Sequence, residues 1–87
     1  MTAPYLNLNG TSGAELVQQR IAAMEALKAA MSAMNETRPH GRDYPFDHDG
    51  YEAARNLHIG RYGVLNSLFT ELEEEARVIV QQMERRA

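Results

Sequence analysis

The chain has 87 residues, a formal charge of −3 and no cysteine. That length bounds it to one domain, near the size at which a single core supplies only a few kcal/mol. The lack of cysteine excludes disulfides and thiolate sites and fits a reducing compartment, and the acidic balance argues against general binding to nucleic-acid phosphates. No run of about 18 apolar residues is present to span a bilayer. The opening MTAPYLNLNG lacks the basic and apolar regions of a signal peptide. The expectation is a soluble intracellular protein without membrane contact.

Residues 1–11 read as an extended arm, in which Leu6 and Leu8 face one way at the period of a strand. The arm is expected to fold back over Ile79, Val80 and Met83 and cover the overhang of a longer second helix. Ser12 and Glu15 then have the spacing of a capping box, which predicts a helix over 12–36. Its Ala, Leu, Met, Gln, Glu and Lys content favours helix. Val17, Ile21, Met24, Leu27, Met31 and Met34 recur every three or four residues and form one face. Alanines at 22, 23, 26, 29, 30 and 33 keep the flanks thin, so another helix can approach closely.

Residues 37–48 form a connector longer than the two to eight residues usual between bundle helices. Pro39 and Pro45 stiffen it, Gly41 permits a reversal, and Tyr44 and Phe46 offer apolar area to anchor it. An ordered cap is expected. Arg38, His40 and Arg42 supply donors, Asp43 is placed to orient an arginine, and Tyr44 offers a ring with a hydroxyl. That set suits three roles: an internal Arg-Asp clamp, recognition of a protein partner, or recognition of a small anion through charge-assisted bonds and stacking. The DHDG segment fails as an EF-hand, because Pro45 and Asn56 would occupy the first and twelfth positions. His40, His48, Asp47 and Asp49 match no dedicated metal motif.

A second helix is predicted over 49–85, beginning at Asp47 or Asp49, with Asp49 and Glu52 repeating the capping pattern. Its apolar line runs through Tyr51, Ala54, Leu57, Leu65, Leu68, Phe69, Leu72, Ala76, Ile79, Val80 and Met83. Gly60 and Gly63 each cost about 1 kcal/mol relative to Ala in a helix. They mark either a bend near residue 60 or a place of close helix packing. Glu71, Glu73, Glu74 and Glu75 read as a solvated face, with Glu73 and Arg77 as an i,i+4 pair.

Four cations interrupt the apolar faces: Arg20 inside that of the first helix, Lys28 at its margin, and His58 and Arg61 within the second. Antiparallel pairing through the connector puts Lys28, His58 and Arg61 at similar heights. Either these side chains snorkel or form intersubunit salt bridges with Glu25, Glu36, Glu52 or Glu71, or they surround an anion between helices. No nucleophile triad, phosphate-binding loop or paired-carboxylate spacing is present, and no enzyme activity or cofactor is expected. The fold expected is all-α: an antiparallel two-helix hairpin with an extended N-terminal segment. A lone hairpin leaves half of each stripe wet, so assembly into a helical bundle as a homo-oligomer follows, most simply a twofold dimer.

LNGTS at 8–12 and PHGRDYP at 39–45 give the chain a resemblance to small helical-hairpin proteins encoded by phages and prophage-like regions. The likeness covers most of the chain, and its specificity lies in those two segments. The present chain departs from the group's pattern at Pro45 and Phe46, where a second aromatic would follow the tyrosine. The group has no established activity to carry over. The leading expectation is a non-enzymatic oligomeric binding role in the bacterial host cytoplasm. That role is either regulation or counter-defence through a host or phage protein, or sequestration of a small anion such as a signalling nucleotide. A purely structural assembly role is the third possibility. The two segments lie at opposite ends of the first helix, roughly 36 Å apart by its rise. Only an antiparallel dimer or higher oligomer would bring Asn9 and Thr11 of one subunit beside His40, Arg42, Asp43 and Tyr44 of another.

Overall fold

The computed structural model describes residues 2–6 and 10–86. It contains α1 over Gly13–Asn35, a 3-10 turn over Gly41–Asp43 and α2 over His48–Arg86, with no strand among the described residues. The protein is an all-helical hairpin.

α1 starts where Ser12 leaves the helical region, with ψ at 152°, so that its Oγ accepts from the Glu15 N–H at 3.2 Å. This satisfies a backbone donor that the first turn leaves without an internal partner. The helix ends by tightening: the N–H groups of Glu36, Thr37 and Arg38 each donate three residues back, and Thr37 Oγ1 donates to the Met34 carbonyl at 2.7 Å. Pro39 keeps Arg38 out of the helical conformation and prevents a further turn.

At the other end of the connector, Asp47 caps α2. Its Oδ1 accepts from the Gly50 N–H at 2.9 Å, and its carbonyl accepts from the Tyr51 N–H. The cap is therefore Asp47 with Gly50, not Asp49 with Glu52. A β-carbon on Gly50 would collide with the Asp47 carboxylate that bends over it, so glycine leaves room for the cap. α2 runs uninterrupted through Gly60 and Gly63, and both glycines face open space. They do not sit at the contact with α1.

The helices are antiparallel. Arg20 pairs with Glu75, while Asn35 shares a groove with His58, Ile59 and Tyr62. Gly13 stands against Met83, since a β-carbon added there would meet Met83 Cγ at 2.7 Å and Leu6 Cδ1 at 3.3 Å. The start of α1 is thus level with the end of α2. The overhang of α2 lies at the opposite end, where its first ten or so residues extend roughly 15 Å beyond α1. The connector, not the arm, covers it: Tyr44 packs on Tyr51 with ring centroids 6.0 Å apart and a tilt of 58°. That is the physical reason for its length.

The arm closes the far end. Gln82 Oε1 accepts from the Leu6 N–H at 3.0 Å, and Gln82 Nε2 donates to the Pro4 carbonyl at 2.9 Å. Leu6, Met31 and Ile79 are the buried side chains among the described residues. Leu8 lies outside them. Four residues expected on the core line are exposed: Leu57 and Leu68, which fall roughly 60 to 80° from Leu65 around the helix, and Val80 and Met83 near the end of α2. The result is a rod with extents of 63 × 19 × 18 Å and a radius of gyration of 18.9 Å, against about 12 Å for a compact domain of this length.

Candidate functional site

The connector and the first three turns of α2 bring basic, acidic and aromatic side chains to one end of the rod, and local geometry builds that end. The Asp43 and Tyr44 N–H groups donate to the His40 and Gly41 carbonyls, closing the 3-10 turn. The Asp47 N–H then donates to the Tyr44 carbonyl at 3.2 Å, so Tyr44, Pro45, Phe46 and Asp47 make a β-turn. Phe46 has φ of 64°. Proline followed by a left-handed residue is the type II arrangement, which normally takes glycine or asparagine at the third position. Here a phenylalanine stands there, fully exposed. It does not anchor the connector as expected, because the left-handed backbone carries its ring away from the hairpin. Tyr44 alone of the two does so.

Two shallow depressions lie toward this end of the hairpin. One, of about 390 Å³, lies among Tyr44, Phe46, His48 and Tyr51. The other, of about 380 Å³, is lined by Asn35, Arg38, His58, Ile59 and Tyr62. Arg38 is exposed while His58 and Tyr62 are half-buried, so a cationic head, an imidazole, an amide and a phenol face one groove. His40, Arg42 and Asp43 are exposed on the turn itself. No Arg-Asp clamp forms there, since the ion pairs among the described residues are Arg20 with Glu75 and Arg77 with Glu74. Arg77 thus pairs with Glu74, one position from the expected Glu73.

The four cations do not converge. Arg20 Nε donates to Glu75 Oε1 at 3.2 Å and its NH1 to the Leu16 carbonyl at 3.1 Å. This guanidinium is spent within the chain, and Glu75 leaves the solvated acidic face to meet it. With Arg20 level with Glu75, Lys28 stands level with about residue 67, roughly 9 to 14 Å along the axis from Arg61 and His58. Lys28 and Arg61 are both exposed. Of the expected set only His58 belongs to the connector-end groove, and Arg38 joins it there. Thr11 is exposed beside the α1 cap, and Asn9 lies outside the described residues. Thr11 and the 3-10 turn remain at opposite ends of α1, which is roughly 34 Å long at its 1.5 Å rise.

The residue that sequence reasoning missed as a functional candidate is Phe46, and the signal was available. Pro45 at the second position of a turn between Tyr44 and Asp47 favours a left-handed third residue. Among the described residues no three His, Asp or Glu side chains converge to hold a metal ion, and no helix is long and apolar enough to cross a membrane. No protein-family model, curated protein or solved structure matches the chain.

Proposed function

We propose that the chain is a non-enzymatic, self-associating binding protein that offers its connector end to a protein partner. The observation that carries this reading is Phe46. A non-glycine residue held in the left-handed region costs about 1 to 2 kcal/mol, and a fully exposed ring recovers none of it within the chain. Such a ring is offset when it enters a partner's pocket. An aromatic knob beside Tyr44 and Tyr51, with Arg42 at the rim, has the composition of a binding hot spot. The role proposed is regulatory or counter-defence, in the bacterial host cytoplasm, through a host or phage protein.

Phe46→Gly separates fold from function. It should raise thermal stability by about 0.5 to 1 kcal/mol, the relief of strain less the entropy that glycine adds to the unfolded chain, while abolishing retention of the partner that the wild-type chain captures. A variant that melts lower, or that retains the same partner, would remove Phe46 from the account.

A second reading is favoured by the groove of Asn35, Arg38, His58 and Tyr62: capture of a small anion such as a signalling nucleotide. The exposed Arg38 guanidinium has no ion-pair partner among the described residues, and Ile59 with Tyr62 offers a flat apolar patch for a base. Ligand at a hundredfold excess over its dissociation constant should stabilise the fold by roughly 2.7 kcal/mol, and Arg38→Ala should remove that shift. Melting curves unmoved by inorganic phosphate and a nucleotide panel would eliminate this reading. If both readings fail, a structural assembly role is what survives.

A further inference from the structure

α2 carries a second apolar line outside the hairpin core. Leu57, Val64 and Leu68 are exposed, recur at spacings of seven and four, and fall within about 40° of one another around the helix. Gly60 borders the line, with open space where a side chain would stand. On the neighbouring flank of α1, Ala23 and Ala26 share an apolar groove of about 440 Å³ with Leu68 and Leu72. Ala30 and Ala33 continue that flank toward Val64 and Leu57. The face is apolar on both helices and thin on α1, which suits the close approach of another helix.

The size of what is left uncovered bears on the occupant. The chain exposes 6502 Å², whereas a compact monomer of its mass exposes about 5,200 Å². The excess of about 1,300 Å² exceeds the roughly 800 Å² that each partner hides in a standard interface. The charges bordering the line bear on geometry. Arg61 and Glu71 are exposed, and neither has an ion-pair partner among the described residues. A symmetric contact must be self-complementary: if residue i meets residue j, j must meet i. Residues 61 and 71 are equidistant from position 66, and so are 64 and 68. An antiparallel crossing of two α2 helices at that level sets Val64 against the partner subunit's Leu68 and Arg61 against the partner subunit's Glu71, each twice.

We infer that two copies pack antiparallel, α2 against α2, about a twofold axis at the level of residue 66, with Arg61 and Glu71 forming reciprocal intersubunit pairs. This rests on the self-association proposed above and specifies its face and register. It leaves Phe46 and the Arg38 groove uncovered at both ends of the assembly.

The test is a charge exchange read by sedimentation equilibrium, with circular dichroism confirming that each variant is helical. Arg61→Glu and Glu71→Arg should each weaken the homodimer roughly tenfold to a hundredfold, because every dimer then holds two like-charged pairs. Mixing the two variants should restore association, since the mixed dimer regains both opposite-charge pairs. The double exchange within one chain should return the dissociation constant to within about threefold of wild type. A wild-type chain that sediments as a folded monomer at tens of micromolar, by order of magnitude for weak dimers, overturns self-association and this inference together. A dimer indifferent to the single exchanges, or not rescued by mixing, leaves self-association standing and overturns this face. As a second readout independent of charge, Val64→Cys chains oxidised with Leu68→Cys chains should give a covalent heterodimer in preference to either homodimer. Equal homodimer yields would count against the register.

Discussion

Ile79→Ala is expected to lower the unfolding free energy by about 3 to 4 kcal/mol, the range for truncating a fully buried branched side chain. Ile79 has no exposed surface, and its turn of α2 is where the beginning of α1 and the arm meet. Little around it can collapse into the cavity, because Gln82 is committed to two hydrogen bonds with the arm. A protein of this size holds only a few kcal/mol of net stability, so the variant should be largely unfolded in dilute buffer. Urea denaturation followed by helical circular dichroism is the measurement, at one protein concentration for both chains, because association adds to apparent stability. The midpoint should fall with little change in slope. A loss below about 1 kcal/mol would mean that the arm, α1 and the last turns of α2 do not unfold as one unit.

Much of this architecture is legible in the residues, and the failures share one cause. The Ser12 cap, the apolar spacing through Met31 and the long helix follow from local rules that operate within a few residues. Register between helices does not. A connector taken as a reversal would set Asn35 level with the start of α2, and Lys28 would then stand near His58 and Arg61. The connector instead lies along the first turns of α2, fixed by Tyr44 on Tyr51, so contact with α1 begins near His58 and the whole pairing slides by about ten residues. That slide carries Arg20 to Glu75 and parts Lys28 from His58 and Arg61. Leu57 and Leu68 failed for a related reason: α2 has two apolar lines, and periodicity alone does not say which of them faces α1.

The two lines explain each other. One face of α2 receives α1, the arm and the Tyr44 anchor, while the neighbouring one carries Leu57, Val64 and Leu68, all exposed in the single chain. Among the described residues Leu6, Met31 and Ile79 are the buried side chains, with Ile79 fully so, and on the reading proposed above the second line serves association. The connector end takes neither side. It projects Phe46 from a strained turn, fully exposed to solvent.

Glu75→Ala is expected to cost about 2 kcal/mol, while replacing both members of the pair, as Arg20→Met with Glu75→Leu, should change stability by less than about 1 kcal/mol. The side chains are 18% and 20% exposed, so water solvates them weakly. Their bond differs from a surface ion pair worth a few tenths of a kcal/mol. Removing the carboxylate leaves the Arg20 guanidinium against the hairpin contact with only the Leu16 carbonyl as acceptor, and an unpaired group of this kind carries its desolvation penalty in full. Removing both charges abolishes that penalty and adds apolar contact. The asymmetry is therefore the signature: strong coupling in a double-mutant cycle, with little net loss in the double variant. Screening by salt should be slight, because the pair is mostly shielded from solvent. If Glu75→Ala cost no more than about 0.5 kcal/mol, or lost its effect in high salt, Arg20 would be free to reach solvent, and its place as an internal strut between α1 and α2 would pass to the apolar contacts alone.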